Sequence, residues 1–383
     1  MNESPAYSLS RLTLYFLKLG AVGFGGPVAL VGYMHRDLVE DRKWISEEDY
    51  REGLALAQLA PGPLAAQLAI YLGYVHYRIA GATLAGLAFV LPSFLMVLAL
   101  GFVYQRFGGL PWMQALFYGI GAAVIGIITI SSYKLTTKSL GKDYWLWGIF
   151  IALALITFIT ESENVWLVLA AGVLIWLVRS PGLRLRLQSI APVGLLALVP
   201  AVGTGDSVLW KIAVFFTKAG AFVFGSGLAI VPFLYGGLVK EYGWLNETQF
   251  LDAVAVAMIT PGPVVITVGF IGYLIAGLPG ACVAALATFL PCYVFTVVPA
   301  PYFKKYGRRP AIRAFVDGVT AAAVGAIAGS VLVLAKRQLI DLPTVLIALA
   351  AALVLYRFKK IQEPHVILAA AVLGLLLKFV INV

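Results

Sequence analysis

Charge is scarce in this chain. Of 383 residues only 12% are Asp, Glu, Lys or Arg, about half the share of an ordinary soluble domain. Histidine occurs three times and cysteine twice. Cys282 and Cys292 share one apolar segment with no histidine near them, which excludes a disulfide framework or a zinc site and makes them packing residues. His35, His76 and His365 are scattered, and there is no HExxH-type motif or clustered nucleophile, acid and base. An enzyme needs such a cluster, so the expectation is a protein that is not an enzyme and has no cofactor and no metal. Low-complexity tracts are absent. The polar stretch through Ser10 has no basic region leading into a cleavable apolar core, so no signal peptide is expected.

What is abundant is apolar surface. The chain is 61% hydrophobic with a mean hydropathy of +0.93. Stretches long enough to cross about 30 Å of hydrocarbon recur along most of it. These features predict a multi-pass membrane protein. The net charge of +10 then reads as Lys and Arg crowding cytoplasmic loops against anionic lipid, not as a nucleic-acid surface.

The chain is a duplication. Residues 14–63 and 214–263 share 17 identities over fifty ungapped positions, including Lys18/Lys218, Trp44/Trp244, Glu47/Glu247 and all of Pro61-Gly62-Pro63/Pro261-Gly262-Pro263. After a one-residue gap the frame continues at a shift of 199 through Leu91-Pro92/Leu290-Pro291 and Gly126/Gly325. An internal repeat in an apolar chain points to a transporter fold. The first repeat is placed at 1–186, a linker at 187–206 and the second repeat at 207–383.

Each half divides into six elements. The first is interrupted at Gly23–Pro27 and the second at Pro61–Pro63; four plainer helices follow. Ser46 with Asp49, and Asn246 with Gln249, mark capped starts of the second element. If the first element crosses once, the second is re-entrant and the other four cross, the halves are inverted. Nineteen Lys and Arg then fall on one side and four on the other, as the positive-inside rule demands. A crossing second element would make the halves parallel. The favoured fold is an all-α multi-pass membrane protein of two inverted-topology repeats, with about ten crossings plus broken or re-entrant helices.

The breaks are the candidate sites. Proline at the first helical position forfeits no hydrogen bond, and glycine before it permits a sharp turn. Gly25, Gly26 and Pro27, and Pro61, Gly62 and Pro63, can start half-helices whose free N–H groups bind an anion without a charged side chain. The repeat offers Gly225, Ser226 and Gly227, where Ser226-Gly227 replaces Gly26-Pro27, and Pro261, Gly262 and Pro263. The plain alternative is a set of packing kinks. Lys18 and Lys218 sit in apolar helices and are candidates to flank the anion, or else they snorkel to headgroups. Gln58, Gln67, Thr260 and Thr267 are neutral donors beside the second break, or interhelical hydrogen-bonding groups. Trp44 and Trp244 read as interfacial anchors. Proton coupling has three candidates: the equivalent Glu52 and Asp252, and Asp317, for which an ion pair with Arg313 one turn away is the simpler account.

The Phe24-Gly25-Gly26-Pro27 and Pro61-Gly62-Pro63 pattern, the charged connection bearing Trp44 and their echo in the second half resemble the chromate ion transporter family in its two-domain form. The resemblance covers nearly the whole chain. It implies proton-driven export of chromate from the cytoplasm, with sulfate as structural analogue, chromate resistance as the cellular role and the cell membrane as location. It also implies that the glycines and prolines of both breaks are the motif positions. The partners expected are a small inorganic oxyanion and the bilayer; a homodimer is left open. A passive anion channel, and a transporter for sulfate or another oxyanion, stay as alternatives.

Overall fold

A computed structural model describes residues 7–24, 26–107, 110–160, 165–179, 207–222, 230–306, 310–358, 361 and 363–379. They form an all-α protein: α1 Leu9–Val22, α2 Gly26–His35, α3 Glu47–Leu59, α4 Leu64–Phe107, α5 Pro111–Leu140, α6 Tyr144–Thr160 and α7 Val165–Arg179. The second half repeats the order with α8 Val208–Phe222, α9 Ile230–Tyr235, α10 Glu247–Ile259, α11 Thr267–Val297, α12 Ala300–Tyr306, α13 Pro310–Gln338, α14 Leu342–Arg357 and α15 Glu363–Phe379. Both capped starts are present. Ser46 Oγ accepts from the Asp49 amide at 3.0 Å, and Asn246 and Gln249 form a full capping box. The chain is a multi-pass membrane protein. Four apolar helical stretches are long enough to span, and α6, α7 and α14 are shorter apolar helices.

The first two elements of each half are hairpins that enter the membrane and turn back. Tyr15 Oη lies 3.4 Å from the Tyr33 carbonyl and 3.3 Å from Asp37 Oδ2. Had α2 continued α1 in a straight line, residues 15 and 33 would stand about 27 Å apart. The first element therefore reverses at its break instead of crossing, which corrects the single-crossing expectation and the odd crossing count built on it; the inversion stands instead on the helix directions given below. The second element behaves likewise. A Cβ on Gly53 would meet the Tyr71 ring at 2.3 Å, and Tyr71 hydrogen-bonds Glu52, so α3 and the start of α4 fold back about Pro61–Pro63. In the second half Asp252 and Phe270 both touch Tyr104 of the first half's α4, which closes α10 on α11 in the same way. Gly237 against Phe215 does so for α8 and the segment after α9.

The 44-residue α4 is itself two helices. Arg78 has φ 51° and ψ −137°. A Cβ on Gly73 would lie 2.3 Å from the Gly81 carbonyl oxygen, a contact that only a tight reversal allows. Its arms, 64–77 and 79–107, run antiparallel. The repeat reverses at the equivalent Gly277, φ 61°, where glycine adopts without strain the conformation that costs Arg78 about 1–3 kcal/mol.

The repeats are inverted. Residues 93, 97 and 101 of the long arm of α4 lie against 262, 269 and 273, so that arm runs parallel to the first arm of α11 and antiparallel to the second, its own equivalent. Gln338 at the end of α13 meets Gly121 in the first half of α5, so this equivalent pair is antiparallel as well. Equivalent helices pointing in opposite directions require a two-fold axis across them, in the membrane plane.

The halves also interlock. α5 packs on α14 and α15, whereas α13 packs on α6 and α7. Close approach of backbones carries this exchange: a Cβ on Gly126 would sit 2.2 Å from the Ala348 carbonyl oxygen, and one on the equivalent Gly325 2.4 Å from that of Phe150. Two polar clamps close it at opposite ends. Arg179 Nη1 bonds Asp317 at 2.5 Å and Nη2 bonds Asp143. Asp317 thus pairs across the repeats, not with the exposed Arg313, because α7 lies alongside α13. At the other end Tyr118 of α5 donates to Asp341 at 2.6 Å, and Lys378 of α15 lies 5.1 Å over the Tyr118 ring. Burial would raise the Asp143 pKa, but hydrogen bonds from Arg179 and the Leu146 and Trp145 amides hold it below the usual range. A depressed carboxylate stabilises above its unfolded pKa and loses that contribution as pH falls through the folded one, so this clamp loosens only in acid.

Two outcomes follow from the geometry. Ser10→Cys and Glu48→Cys, in a chain lacking Cys282 and Cys292, are expected to react with an impermeant maleimide from the same side of the membrane; labelling from opposite sides would restore a crossing first element. Gly325→Val is expected to cost about 1–3 kcal/mol through overpacking at Phe150, read as a lower melting temperature in detergent. Gly148→Ala, in open space, should leave it unchanged.

Candidate functional site

The two Pro-Gly-Pro tips arrive at mid-depth because each abuts the other half's long helix, Gly262 at Ser93 and Gly62 at Cys292. Ser93 is the central residue of the 79–107 arm, which at 1.5 Å per residue is about 43 Å long. Its Oγ lies 2.7 Å from the Pro261 carbonyl and 3.2 Å from that of Gly20. The Gly262 amide donates to the Gly23 carbonyl at 2.9 Å. The break after α1 and the second Pro-Gly-Pro, from opposite halves, are thereby bonded to each other. On the other side of the pseudo-two-fold, a Cβ on Gly62 would meet Gln67 at 2.7 Å and Cys292 Sγ at 3.2 Å. Cys292 is the positional equivalent of Ser93.

Local sequence explains each tip. Pro63 has no N–H to lose, and its carbonyl accepts from the Gln67 amide at 3.0 Å to open the α4 helix. The amides of Leu64, Ala65 and Ala66 then have no partner within the helix, and all three residues are buried. Gln67, fully buried, folds its Nε2 onto the Pro61 carbonyl at 2.7 Å, while its Oε1 has no partner among the described residues. α2 opens at Gly26 with Pro27 second. Gly62 and Gly262 have φ of 141° and 89°, and at Gly262 a Cβ would sit 2.0 Å from Ser93 Oγ. Both freedom of φ and absence of bulk are required there.

The remaining candidates are placed as follows. Gly25, and Gly225, Ser226 and Gly227, lie outside the described residues. Lys18 and Lys218 are exposed, on the faces of α1 and α8 opposite the buried Gly20 and Gly220. Gln58 is exposed. Thr260 and Thr267 are buried and bond carbonyls of their own elements. Glu52 is half-buried, and Asp252 is 5% exposed. Trp44 stacks on Tyr7, and its ring centre lies 4.7 Å from the Arg42 guanidinium, at the base of the first hairpins. Sequence reasoning missed Ser93 and Tyr104. Ser93 follows a proline that the duplication repeats, in the middle of an apolar helix, and that was the available signal.

Chemically the arrangement is a buried point where helix N-termini present amide donors. Such a point receives an anion and releases it again.

The family description "Chromate transporter" matches residues 10–176 and 210–375. The chain belongs to the chromate transporter family. It is 68% identical to a chromate transport protein of Cupriavidus metallidurans, over 98% of this chain and 94% of that one. It is 64% identical to a probable chromate transport protein of Synechococcus elongatus, over 98% and 97%. A chromate transport protein of Pseudomonas aeruginosa is 33% identical over 97% and 92%. No solved structure matches the chain. The two family matches fall on the two structural repeats, so the duplicated form is the form of this chromate transporter family member.

Gly262→Ala is expected to abolish transport while the protein still assembles, since it strains the backbone by about 1–3 kcal/mol and pushes on Ser93. Gly32→Ala, with nothing within 4 Å, serves as the control. Equal transport by both variants would remove the tip from the site.

Proposed function

We propose that the protein exports chromate from the cytoplasm across the cell membrane, driven by the proton gradient, and that the oxyanion binds between the hairpin tips at the membrane midplane. The observation that carries this reading is the bonded meeting of breaks from opposite halves at Ser93. Inverted repeats with discontinuous helices facing one midplane site are the architecture of alternating-access transporters. The breaks supply donors: the amides of Leu64 to Ala66, and the α2 N-terminus at Gly26. A tetrahedral anion with several equivalent oxygens suits donors arriving from several directions.

Lys18 and Lys218, exposed beside the hairpins, act in this scheme by raising the local concentration of a dianion. Gln67, Thr260 and Thr267 shape the tips through bonds to backbone carbonyls. The proton path uses a carboxylate among Glu52, Asp252 and Asp317. Sulfate, of the same shape and charge, is the competitor to test.

The test is flux of radiolabelled chromate in proteoliposomes. The reading expects saturable transport, inhibited by sulfate and accelerated by a proton gradient. Lys18→Ala with Lys218→Ala is expected to raise the apparent KM several-fold and leave the maximal rate. A collapse of the maximal rate would put the lysines in the site itself. Flux that neither saturates nor responds to pH would favour a passive anion channel.

A further inference from the structure

The two-fold relation is broken at one buried group. Glu52 and Asp252 are equivalent residues, yet Glu52 is half-buried and bonds Tyr71 within its own hairpin. Asp252 is 5% exposed and accepts a 2.6 Å hydrogen bond from Tyr104, which belongs to the long arm of the other half. The Tyr104 ring is in turn wedged edge-on against Phe117 at 5.6 Å and Phe270 at 5.5 Å. Between them, α10, the α4 arm, α5 and α11 seal a carboxylate whose hydrogen-bond partner among the described residues is a single phenol.

Charged groups on the surrounding elements are engaged elsewhere. On α15 and α5, Lys378 lies over the Tyr118 ring, and Tyr118 bonds Asp341, which caps α14. Glu363 and Lys134 face one another at the opposite end of α5. His365 and Arg106 are exposed. Among the described residues no cation is paired with Asp252. A carboxylate kept in such a place without a counter-ion is a site that trades its charge for a proton.

We propose that Asp252 is the proton-binding group of the transport cycle, and that its bond to Tyr104 is the latch by which a proton from outside frees the second half's hairpin. The charge split of the loops puts the Tyr104 end of the arm on the non-cytoplasmic side. While Asp252 is ionised, Tyr104 O–H donates to a carboxylate, a charge-assisted bond about twice as strong as a neutral one. A hydronium ion outside gives its proton to a carboxylate oxygen and leaves as water. The carboxyl group is then neutral, its hold on Tyr104 weakens, and α10 can shift against the arm with the Pro261–Pro263 tip. The proton leaves to the cytoplasm when the site has turned inward. This assignment rests on the transporter reading above.

The test uses proteoliposomes loaded with radiolabelled chromate, comparing efflux after external acidification with chromate–chromate exchange at equal pH. Wild type should show both. Asp252→Asn should keep exchange and lose the acceleration by external acid. Tyr104→Phe has no phenol O–H to bond the carboxylate, so efflux should already be fast before acidification, and external acid should add little. Asp252→Asn accelerated like wild type overturns the latch. Should that variant fail to fold, Tyr104→Phe with slow efflux accelerated by external acid like wild type overturns it equally. Wild type that moves no chromate in either assay sinks the substrate reading and this assignment with it. Exchange without pH response in wild type sinks the proton coupling alone.

Discussion

A helix that breaks inside a bilayer must find partners for its freed amides and carbonyls in protein, because hydrocarbon offers none. Nearly everything distinctive in this molecule follows from that demand. The breaks at Gly23 and at Pro261–Pro263 satisfy part of each other, through the Gly262 amide on the Gly23 carbonyl and Ser93 on the Pro261 carbonyl. Neither half can do this alone, since the partners come from opposite repeats. The inversion, the long arm that carries Ser93 to mid-membrane, and the exchange of the last helices all bring these segments together and hold them there.

What holds them is contact made possible by smallness. The glycines at 126 and 325 let helices of opposite halves approach backbone to backbone, in place of the hydrophobic drive that lipid cancels. The two clamps, Arg179 with Asp143 and Asp317 at one end and Tyr118 with Asp341 and Lys378 at the other, occupy equivalent positions with different chemistry. An ion pair on one side and a phenol–carboxylate bond on the other give the two faces unequal strength. That inequality suits a device that must open one face at a time.

Much of this was legible beforehand. The 199–200-residue repeat, the break positions, the capped starts and the loop charges gave the all-helical membrane fold and its inversion, because composition and spacing report directly on burial and on turn chemistry. The path of the first element was not legible. Charge counting assigns Arg36 to Arg51 and Arg78 to one side whether α1 crosses or returns, and only the reach of Tyr15 to Tyr33 decides it. Asp317 misled for a related reason: Arg313 is near in sequence, but Arg179 is near in space. The lysines at 18 and 218 stood out for their rarity in an apolar run, whereas Ser93 carried no charge to draw notice, and its weight comes from where the other half's backbone falls.

The central claim is that an oxyanion sits where breaks of both halves meet. It is tested most directly by the anomalous X-ray signal of chromium in crystals soaked with chromate at low millimolar concentration. The account predicts a peak at the membrane midplane, within hydrogen-bond reach of the Leu64 to Ala66 amides and the α2 N-terminus at Gly26. A peak beside Lys18 or Lys218 on the outer face of α1 or α8, with none at the tips, would contradict it.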